Sequence, residues 1–376
     1  MIFLKWLRYV VEMVVWDRPH VILNVDETSL STVKHDGKGF ISGRRRARRD
    51  VRQRPRDVVD RFNTKTTYLA VVADCAALQP LLPQVILPKY TQHATPPQAH
   101  LDTYASFGFP FEFWHGTSGC VTPRLLRDWA TRLRSVVRSF NDAAWIVLLI
   151  DCSTAHLCAK TVAHLRRLGY IVVMIPAKLT WFLQLLDVYV FGIVKKDMRL
   201  DEARHRVQSA DGRMQLLDRM RISTNSIRRH VINKDWSNLF NRLGAGSDNP
   251  PTATSLRDHC RGEPIQPALP TLVEFGELIG RPVQTPLTRR LHNMIIGTAL
   301  DVGRLPVHAV PPVAAQVVLP PSMEAAAQVS RAELAAAPPV MTLNKFLMDS
   351  YLEAPRRLGA HSPARNLVVA PPPADD

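Results

Sequence analysis

Three aspartates stand where buried strands could bring negative charge together. Asp26 closes the apolar run VILNVD, Asp151 closes WIVLLID, and Asp187 follows Asp151 by 36 positions. Convergent carboxylates raise one another's pKa unless a cation neutralises them. Mg²⁺, or Mn²⁺ in its place, fits such a cluster because hard cations take oxygen ligands and keep waters and phosphate oxygens in their shell. Two such ions can activate a water or a 3′-hydroxyl and stabilise the leaving oxygen at phosphorus.

The elements that would position these aspartates are strands. Five runs have the apolar character of strands: 21–26, 66–74, 81–87, 145–151 and 170–176. Nearly continuous hydrophobicity in the first and the last two is typical of strands covered on both faces. The second and third predict a hairpin, although Pro83 interrupts the third. If the strands ending at Asp26 and Asp151 are neighbours, their carboxylates meet at one edge of the sheet. Side-chain alternation then admits only one of Asp26 and Glu27 to the site.

Helices are predicted around the later strands. Thr122 is an N-cap followed by Pro123 at the first helical position, and apolar residues recur at helical spacing to about residue 139. A second helix is expected to end at Gly169, and a third follows Asp187. The order β-β-β-α-β-α-β-α predicts an α/β fold with a mixed sheet, antiparallel at first and parallel later.

Composition divides the chain into three parts. Residues 1–210 hold the predicted sheet, residues 211–300 form a basic and partly helical extension, and residues 301–376 form a Pro/Ala-rich tail that is expected to be mostly disordered. The tail carries a net charge of −1, so the net charge of +15 comes from the residues that precede it. A basic folded region favours a polyanionic partner such as DNA, because Lys and Arg that neutralise phosphates release counterions. A basic surface that serves solubility alone is the alternative.

A run of eight arginines lies between Asp26 and the next predicted strand. Its members are Arg44, Arg45, Arg46, Arg48, Arg49, Arg52, Arg54 and Arg56. Guanidinium groups match phosphate geometry bidentately, so the run could clamp a DNA backbone. It also has the composition of a nuclear localisation signal, which predicts a nuclear protein. A solvated loop without a dedicated partner is the alternative.

The cysteines and the apolar N-terminal residues argue against a secreted protein and against a membrane-spanning one. The five cysteines form no CxxC pair and no zinc-ligand spacing, a pattern that fits a reducing compartment. Lys5, Arg8 and Glu12 interrupt the apolar first 16 residues. Neither a secretory signal nor a membrane span is therefore expected, and an amphipathic helix packed on the core is predicted instead.

The words around the three aspartates resemble the catalytic blocks of a known family. NVDETSL (24–30), IDCSTAHL (150–157) and IPAKLTWFLQLLDVYVFGIVKK (175–196) are similar, in that order, to blocks of the DDE superfamily endonuclease domain. This is the domain of pogo-like transposases and of their domesticated jerky and CENP-B relatives. The resemblance covers about residues 15–200. It implies a ribonuclease H-like fold, DNA cleavage or joining with Mg²⁺ or Mn²⁺, and Asp26, Asp151 and Asp187 as metal ligands and catalytic residues.

The resemblance also implies roles for three neighbours. His156 matches the family's usual histidine, which lies beside the metal ligands, and a purely structural histidine is an equal alternative. Gln184 is expected to order the loop that presents Asp187. Lys195 matches a basic position of the third block and is expected to contribute to nucleic-acid binding.

Four features depart from the family pattern. Leu185 replaces a proline, Trp181 a histidine and Cys152 an asparagine, and none of these removes a ligand. Loss of the proline is expected to loosen the backbone that presents Asp187. Pogo-like transposases carry helix-turn-helix domains before the catalytic core, whereas about 25 residues precede Asp26 here. Sequence-specific recognition is therefore expected from a separate subunit, unless the gene model is truncated.

Three hypotheses follow for function. The first is a metal-dependent DNA endonuclease or strand transferase of the transposase type, with a homo-oligomer as an open question. The second is a domesticated nucleic-acid-binding protein whose core no longer catalyses, which the departures and the Pro/Ala-rich tail favour. The third is a transposon remnant without a host role. Cleavage that depends on a divalent metal separates the first from the other two.

Overall fold

A six-stranded mixed sheet forms the centre of the described chain. The computed structural model describes residues 1–30, 66–90, 96–115, 119–208, 214–246 and 248–305. The strands are β1 (His20–Ser29), β2 (Thr66–Ala73), β3 (Gln84–Pro88), β4 (Phe111–Phe113), β5 (Trp145–Asp151) and β6 (Tyr170–Ile175). Their order across the sheet is β4-β3-β2-β1-β5-β6. Strand β1 is therefore central.

The pairing of β1 divides the sheet into two halves. It is antiparallel to β2 and parallel to β5. Beyond them, β3 pairs antiparallel with β2, while β4 is parallel to β3 and β6 is parallel to β5. Every residue of β2, β3 and β6 is buried, as are the first six residues of β5, which explains why the runs at 145–151 and 170–176 are continuously apolar rather than alternating.

Helices pack on the sheet and extend from it. They are α1 (Ile2–Tyr9), α2 (Gln98–Ser106), α3 (Pro123–Phe140), α4 (Ala159–Arg167), α5 (Thr180–Leu183), α6 (Phe191–Gln208), α7 (Leu216–Ile227), α8 (Ser237–Leu243), α9 (Thr254–His259), α10 (Leu272–Ile279) and α11 (Pro286–Arg304). Three π-helical turns continue or precede them: Val10–Val14, Leu186–Val190 and Arg228–Ile232. Short 3₁₀ turns occupy Gln79–Leu81 and Ala177–Leu179.

The predicted elements occur close to their expected positions, and further elements lie between them. The Thr122 side chain caps α3 by accepting from the Leu125 N–H at 3.3 Å, and Gly169 follows α4 with a φ of 78°. Strand β3 begins after Pro83, because proline has no N–H for the ladder. Between β3 and α3 the chain adds α2 and β4. The sequence signal for both is weak, since α2 has little apolar periodicity and β4 has three residues.

The C-terminal helices share one hydrophobic core with the sheet. Helices α10 and α11 pack against β6, and α11 also packs against α4. The rings of Trp6 in α1 and Phe275 in α10 meet edge to face at 6.3 Å. The buried cluster runs from Phe3 to Val302. The described part of residues 211–300 thus wraps back onto the first 210 residues, and residues 306–376 lie outside the described chain.

Within the described ranges, no single helix has the length and apolar character to cross a bilayer, although the bent pair Ala177–Leu183 and Leu186–Gln208 meets the length and composition requirement jointly.

Candidate active site

The central strand pair brings Asp26 and Asp151 to one edge of the sheet. In the parallel ladder between β1 and β5, Asn24 lies opposite Leu149. Two residues further along each strand, Asp26 and Asp151 occupy the same register position. Neighbouring residues at one register position project to the same face. The two carboxylates therefore converge beyond the end of the ladder, as their strand-end positions predict.

Asp187 reaches the same edge of the sheet from a segment that follows β6. It lies in the π-helical turn Leu186–Val190, which packs against β1. Its carboxyl group lies within hydrogen-bonding reach of Asp26 and interacts electrostatically with Asp151. Lys195, one turn into α6, interacts with both Asp187 and Asp26. The structure thus brings together the three predicted acids and one predicted basic residue.

Burial and mutual repulsion raise the pKa values of two acids in the cluster. Burial, followed by the charge of Asp187 and then that of Asp151, raises the pKa of Asp26 to about 8. Burial also raises the pKa of Asp187, with a further contribution from Asp151, although Lys195 opposes both. Asp26 is only 7% exposed. At neutral pH without a cation, the pair therefore holds a proton that two solvated carboxylates would release.

Asp151 has a separate partner in His156. Its Oδ1 atom accepts a hydrogen bond from Nδ1 of His156 and another from the Ser153 N–H at 3.2 Å. Burial raises the pKa of Asp151, but these bonds and the His156 charge outweigh it, so the net pKa is lowered. Burial lowers the pKa of His156, yet Asp151 and Glu27 outweigh it and raise the value to about 10. His156 is thus a buried imidazolium that engages one oxygen of Asp151.

Glu27 also belongs to the site, contrary to the expectation from strand alternation. Its Oε1 atom lies 3.3 Å from Nε2 of His156, an ion-pair contact that is off the ideal hydrogen-bond direction. Asp26 and Glu27 do leave β1 in different directions. Because His156 lies between Glu27 and Asp151, the second acid is nevertheless linked to the cluster.

Gln184 and Asn24 together hold the segment that leads to Asp187, and the sequence motifs do not single out Asn24. Its Nε2 donates to the Val25 carbonyl at 2.8 Å, and its Oε1 accepts from Nδ2 of Asn24 at 2.8 Å. The backbone at position 185 is compatible with a proline. Leu185 has a φ of −56°, within the range of proline, and Gln184 is extended with a ψ of 107°, close to the range of a residue that precedes proline.

The donor chemistry of the cluster suits a divalent cation, although the side chains are not posed for one. Within the described part of the chain, no group of three or more His, Cys, Asp or Glu side chains is arranged to hold a metal ion. The reason is visible in the contacts, since Asp26 turns to Asp187 and one oxygen of Asp151 is taken by His156. Three converging carboxyl groups with a surplus proton nevertheless form the hard, anionic oxygen set that Mg²⁺ and Mn²⁺ prefer.

The other predicted residues fall into two groups. The arginine run lies outside the described residues. Trp181 and Cys152, the two remaining departures from the family pattern, are both described. Trp181 is 70% exposed and donates from Nε1 to the Lys178 carbonyl at 3.0 Å. Cys152 donates its thiol proton to the Ile175 carbonyl at 3.2 Å, and burial raises the pKa of this thiol to about 12.

The fold and the site together define a mixed α/β protein whose acids converge at the ends of neighbouring central strands. Residues 66–236, somewhat less than half of the chain, match the family model described as DDE superfamily endonuclease. The matched segment contains Asp151 and Asp187, while Asp26 precedes it. No curated protein and no solved structure matches the chain.

Proposed function

We propose that this protein is a transposase-type endonuclease that cleaves or joins DNA phosphodiester bonds with the help of Mg²⁺ or Mn²⁺. The observation that supports this most directly is the shared register of Asp26 and Asp151 with Asp187 placed against them. The match of residues 66–236 to the DDE superfamily endonuclease model supports the same class of reaction. In this proposal the sheet is of the ribonuclease H-like type.

Asp26, Asp151 and Asp187 are the proposed metal ligands. Divalent cations at such a site supply activation of the attacking oxygen and neutralisation of the charge that develops at phosphorus. A bound cation would favour the ionised form of Asp26, and the proton would pass to solvent. His156 holds Oδ1 of Asp151, which leaves Oδ2 of the same carboxylate as the oxygen proposed for the metal. Glu27 keeps the His156 imidazolium in that orientation from its other ring nitrogen.

The DNA contacts are proposed on the basic residues next to the acids. Lys195 is half-buried beside Asp187, and the exposed Lys196 and Arg199 follow on α6. Such cations compensate the phosphate charge that approaches an acidic site. The arginine run at 44–56 extends this role and serves as the proposed nuclear localisation signal. A homo-oligomer and a separate DNA-recognition subunit belong to the same proposal as partners.

Nicking of supercoiled plasmid tests the proposal. Wild-type protein with Mg²⁺ or Mn²⁺ should convert the plasmid to the relaxed form, and Asp151→Asn should abolish the conversion. The matched control is Asp74→Asn. Asp74 directly follows the C-terminal end of β2, away from the acidic cluster. Its carboxylate accepts from the Ile22 N–H at 3.0 Å, a bond that asparagine can keep. Asp74→Asn should nick as wild type does.

Two results would decide against the enzyme. DNA binding without nicking in either metal would indicate the second hypothesis, a nucleic-acid-binding protein on an inactive core. Nicking that persists in Asp151→Asn would indicate a contaminating nuclease.

A further inference from the structure

Two buried amides lie directly behind the acidic cluster. Asn24 is in the middle of the central strand β1, between the buried Leu23 and Val25, and it is 0% exposed. Gln184, between α5 and the turn that carries Asp187, is also 0% exposed. Asparagine is depleted in strands, and a buried amide is costly unless its donors and acceptors are all paired. An asparagine at this position therefore calls for a specific partner.

The side-chain amides of Asn24 and Gln184 form hydrogen bonds with each other and with backbone groups of neighbouring segments. Nδ2 of Asn24 donates to Oε1 of Gln184 at 2.8 Å and to the Leu149 carbonyl at 3.3 Å. Oδ1 of Asn24 accepts from the Leu186 N–H at 3.2 Å. Nε2 of Gln184 donates to the Val25 carbonyl at 2.8 Å. Four hydrogen bonds thus join β1, β5 and the segment 184–186.

Each end of this network lies next to an acid of the cluster. Asn24 precedes Asp26 by two residues on the same face of β1, and the Val25 carbonyl belongs to the peptide that enters Asp26. On the other side, Leu186 directly precedes Asp187. The backbone of Gln184 continues the hold, because its carbonyl accepts from the Val188 N–H at 3.0 Å. Side chains that bond in this way fix the distance between two backbone segments, and each segment carries one carboxylate.

We propose that Asn24 and Gln184 form an amide clasp that sets Asp187 against Asp26 and thereby tunes divalent-metal affinity. Both are positioning residues, since they act through the two acids. The proposal rests on the proposed function, in which these acids bind metal. The clasp supplies the constraint that a proline at position 185 would otherwise give, because Leu185 has the backbone angles of proline without its ring.

Hydrogen exchange tests the clasp without reference to metal or activity. In Asn24→Ala and, independently, in Gln184→Met, amide exchange across 186–190 should accelerate at least about tenfold relative to wild type. The matched control is Gln79→Leu. Gln79 is equally buried and accepts from the N–H of Ala73, the last residue of β2, at 2.8 Å. Its loss should leave exchange across 186–190 unchanged.

Mn²⁺ binding and plasmid nicking then distinguish positioning from a structural role. Substitution of a residue that hydrogen-bonds to a metal ligand typically lowers metal affinity or activity by about 10–100-fold. Both clasp variants should bind Mn²⁺ in that range more weakly, and kcat for nicking should fall while KM for plasmid stays constant. Gln79→Leu should keep wild-type Mn²⁺ affinity.

Two outcomes would overturn the clasp. Unchanged exchange across 186–190 would mean that the amides do not hold the turn, and faster exchange with wild-type Mn²⁺ affinity would mean that the hold is only structural. Wild-type protein that binds Mn²⁺ without nicking would remove the proposed function alone, because the affinity comparison still tests the clasp.

Discussion

Replacing Asp26 by asparagine should stabilise the metal-free protein at alkaline pH. Asp26 is buried among acids, and burial together with Asp187 and Asp151 raises its pKa to about 8. Asparagine removes the charge and keeps the shape. It also keeps the bond that Oδ1 accepts from the Glu27 N–H at 2.7 Å. Its amide can donate to Asp187, as the protonated carboxyl group does.

The sign and size of the effect follow from linkage. The folded wild type holds a proton on Asp26 that the unfolded chain releases near its ordinary pKa of 3.8. The free energy of unfolding of the wild type therefore falls as pH rises from about 4 to about 8, and the penalty is complete above that range. The full shift corresponds to an upper limit of about 6 kcal/mol. Relaxation of the neighbouring carboxyl groups lowers this, and we expect on the order of 2 kcal/mol.

Urea unfolding in EDTA at about pH 5 and about pH 8 measures this difference. Asp26→Asn should be more stable than the wild type at the higher pH, and the gap should be smaller at the lower pH, where only the part of the penalty that accrues between about pH 4 and about pH 5 is present. Added Mg²⁺ should stabilise the wild type at high pH and stabilise Asp26→Asn much less. Asp74→Asn is the informative comparison, since burial raises the pKa of Asp74 to about 7. It should also gain stability at high pH, but it should keep the full Mg²⁺ response.

Two results would refute this reasoning. The first is an Asp26→Asn protein that is less stable than the wild type at about pH 8. The second is a stability gap of equal size at both pH values, which would assign the effect to packing instead of charge.

Three further substitutions have separate expected outcomes. His156→Gln should lower kcat for nicking by about 10–100-fold without changing plasmid affinity in a gel-shift assay, because Asp151 loses the partner that orients it; full activity would contradict this. Arg18→Met should lower the free energy of unfolding by about 2 kcal/mol in urea, because the buried guanidinium donates to carbonyls at the end of α11 at 2.7 and 2.8 Å. Gly244→Ala should cost more than about 1 kcal/mol in the same assay, because φ is 83° and the new Cβ would lie 2.8 Å from Cγ of Pro251. An unchanged unfolding curve in either of the last two would contradict the contact named.

The sheet could be predicted because its inner strands are continuously apolar. Strand β5 occupies the predicted range, and β1, β2 and β6 differ by a few residues at their ends. Strand β4 could not be predicted, since it has three residues and its pairing with β3 depends on where the chain returns after α2. The packing of α11 on β6 and α4 could not be predicted either, because an amphipathic helix does not specify which surface it covers.

The convergence of the acids was predictable, whereas their supports were only partly so. A strand-end rule places Asp26 and Asp151 together once their strands are neighbours. The contact between Glu27 and His156 depends on the loop after β5, whose path no periodicity describes. Asn24 did carry a signal, namely a polar residue within the run VILNVD. Its partner Gln184 is 160 residues away, a distance at which sequence patterns do not specify contacts.

Anomalous diffraction from crystals grown with Mn²⁺ tests the central claim most directly. A divalent site at the cluster predicts a strong anomalous peak about 2.0–2.2 Å from carboxylate oxygens of both Asp26 and Asp151, with Asp187 turned towards it. The same crystals of Asp151→Asn should show a weaker peak or none. Saturating Mn²⁺ with no peak between Asp26 and Asp151, in wild-type crystals that keep the three carboxyl groups together, would contradict the metal-dependent mechanism.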